Sequence, residues 1–563
     1  MRFQDYKYER PDLNLIKTKW TEILEAMKQD PTLEEELELI QQFFAIDDEI
    51  STLASLVSTR HSIDTRDKFY EEEQQFFNEN IPPLQQYSQQ FSLQLLESKN
   101  RAQLEEHFGS LLFDQAELQQ KTFSPEVIEE LQQLNKLAME YQKLLSSAKL
   151  EFQGNTYNLS QMRPFAEDLN RETRHQAQLV VSAWFEEQEA DIDKIYDDMV
   201  KLRHKMAVKL GYENFVQLGY DLLGRTDYNL KDVKTYRDQI YEFVVPVVNE
   251  LTQRKAKRIG IDNPKSYDLN LSFLTGNPTP KGDSKWQLNI AKDMYEQMSP
   301  ETGEFINFMI DRELLELDAK EGKSGGGYCT YFPTFESPFI FANFNGTSGD
   351  VDVLTHEAGH AFQVYSSRDN IPLYRWPTLE AAEIHSMSME FLAWPWIDGF
   401  FQDDTAKYKF DHLAGALSFL PYGVAVDEFQ HGVYEHPEMT PDERKTLWRS
   451  IEKKYLPFKD YDDDVFTDKG TFWYRQGHIF GVPFYYIDYT LAQVVAFQYW
   501  VKSREDHAKA LAEYIDLCKL GGSKSFVALL ESAKLDNPFK RGTVEDIIIP
   551  LKAYLDGVDD TKL

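Results

Sequence analysis

Two cysteines in 563 residues, Cys329 and Cys518, cannot build a disulfide framework, which suits a reducing compartment. Positive charge is also scarce: 60 Lys and Arg stand against 94 Asp and Glu, a net charge of −34. Nucleic acids and anionic membranes recruit clustered cations, so this balance argues against both as partners. The chain has no apolar run of the roughly 18 residues a membrane span needs, and Met1–Asn14 lacks the apolar core of a signal peptide. A soluble cytoplasmic protein is the expectation. Histidine is thin too, at 12, so a patterned pair stands out.

One such pair lies in Val351–Val364, VDVLTHEAGHAFQV. Val353, Leu354, Ala358, Ala361, Phe362 and Tyr365 recur near the 3.6-residue period, which predicts a helix, with Ser348, Gly349 and Asp350 available to cap it. On a helix His356 and His360 project one turn apart from one face and can close on a single zinc ion. Glu357, beside the first of them, can reach a metal-held water without binding the metal, the arrangement that peptide hydrolysis uses. The other reading is an ordinary amphipathic helix with two surface histidines; against it, the apolar flanks would bury both with no partner other than a metal.

A catalytic zinc takes a third protein ligand. The next predicted helix, Thr378–Trp394, offers Glu380, Glu383, His385 and Glu390. Glu380 and Glu383 share a face and follow His360 after nineteen and twenty-two residues, and spacing alone leaves both open. His385 points about 160° away from Glu383 at 100° per residue, so the two cannot face one ion. The metzincin extension is absent, Gln363 and Ser366 standing where Gly and His would be, and no G-x-M-E-N motif occurs.

HEAGH followed by Ala382-Glu383-Ile384 and a Ser/Met-rich helix ending in Met389-Glu390-Phe391 resembles the thimet-oligopeptidase family, in its oligoendopeptidase F (Pz-peptidase) branch. The resemblance extends from about residue 160 to 500. It implies Glu383 as third ligand, one zinc per chain, and Glu380 as a supporting group. It further implies that His478, Tyr486 and Tyr489, in GHIFGVPFYYIDYTLAQ, stabilise the tetrahedral intermediate. The thimet branch has a longer glycine-rich loop there, which leaves Tyr485 and Tyr486 as alternatives. The implied fold is mainly α, with a deep substrate cleft between two helical halves and a small β-sheet beside the zinc helix. The implied function is a zinc metalloendopeptidase acting on short oligopeptides. A related zinc carboxypeptidase or dipeptidase, or a non-catalytic helical peptide-binding protein, are the other readings.

The remaining sequence supplies the setting. Residues 1–160 read as Gln/Glu-rich helices (33–56, 66–78, 83–96 and 125–150), broken at Asn80-Ile81-Pro82-Pro83, and form one wall of the implied cleft. A soft boundary near 160 separates them from a catalytic region, 161–563. Gly322-Lys323-Ser324-Gly325-Gly326-Gly327 lacks the Walker order and predicts a turn feeding two strands, Tyr328–Phe332 and Pro338–Phe344. An exposed strand edge there could take an extended peptide as a further strand. His431 and His436 read as structural or surface groups. Nothing in the sequence sets an oligomeric state.

Overall fold

Long helices dominate the chain, in a computed structural model that describes residues 1–563. Leu33–Ile63 starts at a capping box in which Thr32 and Glu35 satisfy each other's N–H groups, the Thr32 N–H reaching Glu35 Oε2 at 2.8 Å. Its apolar stripe, Ile40, Phe43, Ile46 and Ile50, packs with Trp20, Leu84 and Phe91 into a core of the N-terminal helices.

The break expected at residues 80–83 does not occur. One helix, Lys68–Glu97, runs through Pro82 and Pro83. Each proline removes the donor for a carbonyl four residues back, here those of Asn78 and Glu79. Gln132 Nε2 donates to the Glu79 carbonyl at 2.6 Å and Asn135 Nδ2 to the Asn78 carbonyl at 3.3 Å, both from helix Ile128–Ser146. The neighbouring helix supplies the two donors the prolines withhold.

Both strands expected after the glycine-rich loop form. Ser337–Phe344 is central, parallel to Leu315–Asp318 and antiparallel to Tyr328–Phe332, which leaves the last with one free edge. Lys323 is buried under the Phe341 ring and donates to the carbonyls of Ala342 (2.5 Å), Asp318 (2.8 Å) and Glu316 (3.1 Å). The lysine of this loop thus pegs the end of the sheet and is spent on backbone carbonyls.

Three helices make the centre: Gly349–Ser366, Leu379–Leu392 and Tyr486–Glu505. They are buried on nearly every side, as helices inside a large protein are. Gly359 decides how closely the first two meet. A Cβ there would lie 2.6 Å from the His385 carbonyl oxygen and 2.7 Å from Ser386 Cα, so only glycine permits the approach. A cavity of about 1070 Å³ separates these helices from the N-terminal ones; Phe43, Phe44 and Phe91 line one wall, and Gly327–Tyr331 with the histidine helix line the other. No helix is long and apolar enough to cross a membrane.

Candidate metal centre

The close packing at Gly359 brings the second helix's carboxylate to the histidines of the first. Glu383 Oε2 lies 3.2 Å from His356 Nε2 and 3.3 Å from His360 Nε2, and the three ligand atoms fall within 4.8 Å of one another. Donors about 2.0–2.1 Å from a shared ion in tetrahedral arrangement stand about 3.3 Å apart, so the trio fits zinc. Glu383, not Glu380, makes this approach.

Two of the three are held from behind, His356 and Glu383, whereas His360 Nδ1 is buried without a partner. His356 Nδ1 meets Glu390 Oε1 at 2.8 Å, which turns Nε2 towards Glu383. Glu390 Oε2 meets His412 Nε2 at 2.9 Å, and the Trp394 indole N–H donates to His412 Nδ1 at 2.9 Å. Burial opposes charge on His412 while Glu390 raises its pKa, but the Trp394 donor needs a lone pair on Nδ1 and holds the ring in its Nε2–H form. Ser386 Oγ donates to Glu383 Oε2 at 2.8 Å, and the Tyr485 hydroxyl donates to Glu383 Oε1. Burial opposes ionisation of Glu383, yet His360 and His356 hold its carboxyl well below the usual range.

Glu357 lies beside the trio with its carboxylate Oε2 buried and unpartnered. Burial pushes its carboxyl above the ordinary value, against the pull of His356 and His360. Gly327, at the start of the edge strand, keeps room beside it, since a Cβ there would come within 3.3 Å of Glu357 Oε1.

Opposite stands the tyrosine loop. His478 Nε2 meets the Tyr489 hydroxyl at 3.1 Å. The Tyr422 hydroxyl donates to Gln476 Oε1 at 2.8 Å, turning the Gln476 amide N–H onto His478 Nδ1 at 2.8 Å and leaving the imidazole proton on Nε2. Burial lowers the His478 pKa and raises that of Tyr489 well above the usual phenol range, so the pair consists of a neutral imidazole and an intact phenol. His478 and Tyr489 border both the large cavity and a second one of about 550 Å³. Tyr485 lines the first and Tyr486 the second, where its ring meets Phe419 and Tyr422 edge-on. The helix begins at Tyr486, so Tyr485 and Tyr489 stand one turn apart.

Phe484 sets that register. It adopts φ +67°, the left-handed region that a bulky residue enters only when its surroundings hold it there. Its N–H donates to Gln430 Oε1 at 2.8 Å, and its carbonyl accepts from Arg225 Nη2 at 2.7 Å. Its ring lies over Gly219, where a Cβ would be 2.6 Å away.

The other sequence candidates lie elsewhere. Glu380 is buried with both oxygens unpartnered, near Arg225, and the group supporting His356 is Glu390 instead. His385 is a core residue against Cys518 Sγ (3.4 Å), and its pKa is lowered by burial to about 3. His431 pairs with the Tyr220 hydroxyl at 3.1 Å. Of the residues unassigned from sequence, Glu390 carried a signal, standing two turns beyond Glu383 on the same helix; His412 and Trp394 carried none.

Residues 3–123 match the model of the peptidase M3 N-terminal domain, and residues 303–548 match that of peptidase family M3. A solved structure of Pz peptidase A with an inhibitor is 49% identical, with a TM-score of 0.99 over 100% of both chains. A structure of an oligoendopeptidase F from Bacillus anthracis str. Ames is 50% identical, with a TM-score of 0.94 over 100% of this chain and 99% of that one. Among curated proteins, an oligoendopeptidase F homolog from Borreliella burgdorferi is 22% identical over 56% of this chain and 54% of its own. The chain spans about half the length of the curated relatives it matches.

Proposed function

Since the chain belongs to peptidase family M3, we propose that it is a zinc-dependent oligoendopeptidase that hydrolyses internal bonds of short peptides. The observation that carries this reading is the trio His356, His360 and Glu383, three donors from two helices within 4.8 Å, with the unpartnered Glu357 carboxylate beside it. Those three residues would hold the zinc. When bound, the ion supplies Lewis acidity, bringing a water's pKa towards 7 and polarising the scissile carbonyl.

Every other part belongs to the protein. Glu357, its pKa raised by burial, takes the proton of the attacking water and passes it to the leaving amine. The His478 Nε2–H and the Tyr489 hydroxyl, two neutral donors on the far side of the trio, stabilise the charge developing on the carbonyl oxygen. Tyr485 from the large cavity and Tyr486 from the smaller one flank them. The peptide backbone lies along the free edge of Tyr328–Phe332, so that recognition does not depend on its side chains.

The test is metal analysis and peptide mapping of the parent and Glu357→Gln proteins. The reading expects one zinc in each and cleavage by the parent alone, abolished by chelation. Equal cleavage by both would overturn it. An internally quenched peptide blocked at both ends separates the endopeptidase from an exopeptidase, because an obligate exopeptidase leaves it intact.

A further inference from the structure

Cations are scarce in this chain, yet four line one pocket. It has a volume of about 410 Å³ and is walled by Lys255, Arg258, Lys459 and Arg475, with Asp411 as the single carboxylate. Two of the cations are already neutralised: Arg258 pairs with Asp560, and Lys459 with Glu452 at 3.3 Å. The other two are not. The Lys255 ammonium donates only to the Leu269 carbonyl, at 2.9 Å. The Arg475 guanidinium stacks on Phe472 and Phe185 (4.5 and 5.1 Å to the ring centres) and has no hydrogen-bond or ion-pair partner, its Nε lying buried and unsatisfied. Arg475 is half-buried, with its Nε kept from water and without an acceptor, an unfavourable arrangement whose retention where carboxylates are plentiful calls for a ligand.

The pocket's position says which ligand. It shares Asp411 and Gly415 with the smaller of the two cavities bordered by His478 and Tyr489. Tyr422 and Gln476, which orient His478, form part of its wall. Leu251, Leu269, Phe410 and Phe458 line the rest. An inorganic anion gains nothing from those apolar groups, whereas an amino-acid residue bearing a carboxylate uses both halves of the pocket.

We infer that this pocket is a subsite for a carboxylate of the peptide substrate, anchored by Arg475 with Lys255 beside it. The carboxylate can come from the peptide's free C-terminus or from an acidic side chain. The subsite extends the cleft beyond the metal centre and limits how far a peptide can thread past it. This rests on the peptidase reading above.

Binding, not turnover, tests it. Calorimetry on the full chain carrying Glu357→Gln would compare three matched peptides: a free C-terminal acid, its amide, and an amide with a glutamate placed near the end. Either the acid or the glutamate peptide should bind roughly tenfold or more tightly than the plain amide, and which of the two does so identifies the source. Arg475→Lys, which keeps the charge but loses the fork, and Lys255→Gln should each shrink that preference. Thermal melting would report whether either variant has unfolded. Equal binding of all three peptides, or a preference that survives both substitutions in folded protein, overturns the subsite while leaving the peptidase reading intact. If none of the peptides binds, both readings fall together.

Discussion

Gly359 and the His385 carbonyl approach so closely that a single methyl group on the glycine would sit 2.6 Å from the oxygen. That contact sets the distance between the two helices that carry the three proposed ligands. Gly359→Ala must push them apart, because both atoms in the clash belong to backbone. The expected result is a loss of about 1–3 kcal/mol of stability, with metal affinity falling further than stability does. Denaturant titration and competition with a chelator measure the two separately. Full metal affinity in a destabilised variant would show that the ligands do not depend on this contact.

Glu390 holds His356 from behind at 2.8 Å, and His412 in turn holds Glu390. Glu390→Gln should weaken zinc binding by about 10–100-fold. His412→Phe should weaken it less, since it leaves the Glu390–His356 hydrogen bond in place. Metal dissociation constants decide the matter, and a Glu390→Gln protein that binds zinc as tightly as the parent would reduce Glu390 to a space-filling role.

Among the tyrosines, Tyr489 meets His478 and borders both cavities. Tyr489→Phe should lower kcat by about 10²–10³-fold with KM little changed, as for loss of one oxyanion donor. Tyr485→Phe should cost more than Tyr486→Phe, because the Tyr485 hydroxyl reaches Glu383 whereas Tyr486 packs among aromatic rings. The reverse order would move the working donor to the smaller cavity.

His431 links stability to pH. Burial lowers its pKa to about 4 in the folded state, against an ordinary value of 6.5. The unfolded chain therefore binds a proton first on acidification. The contribution of neutral His431 is complete above pH 6.5 and is lost as pH falls towards 4, up to roughly 3 kcal/mol in all. Around the ring stand Asp427, Arg237, Arg225 and Glu428. Urea unfolding at pH 7 and pH 5 should show the loss, and His431→Gln should make it shallower, the remainder belonging to buried groups such as His385. An unchanged slope in that variant would assign the acid sensitivity elsewhere.

What could be read from the sequence was whatever is encoded over one or two helical turns. His356, Glu357 and His360 form such a pattern, as do the strands at Tyr328–Phe332 and Ser337–Phe344. Glu383 was separable from Glu380 only through resemblance, because their spacings are alike and the choice depends on how two helices cross. The continuity of Lys68–Glu97 could not be read locally, since its missing donors come from Gln132 and Asn135, some fifty residues on. Tyr485 was obscured for a similar reason: its direction follows from the left-handed turn at Phe484, imposed by Gly219, Arg225 and Gln430.

The unpaired side of Tyr328–Phe332 has a further consequence. On an open surface, a bare strand rim of this kind recruits neighbouring molecules and seeds clumping. Here it is sunk opposite Phe43 and Phe91 in the large cavity, which screens it from the sheet edges of neighbouring molecules. On the proposed reading the recess would make a liability selective, keeping native neighbours off by their bulk and leaving the rim to loose fragments.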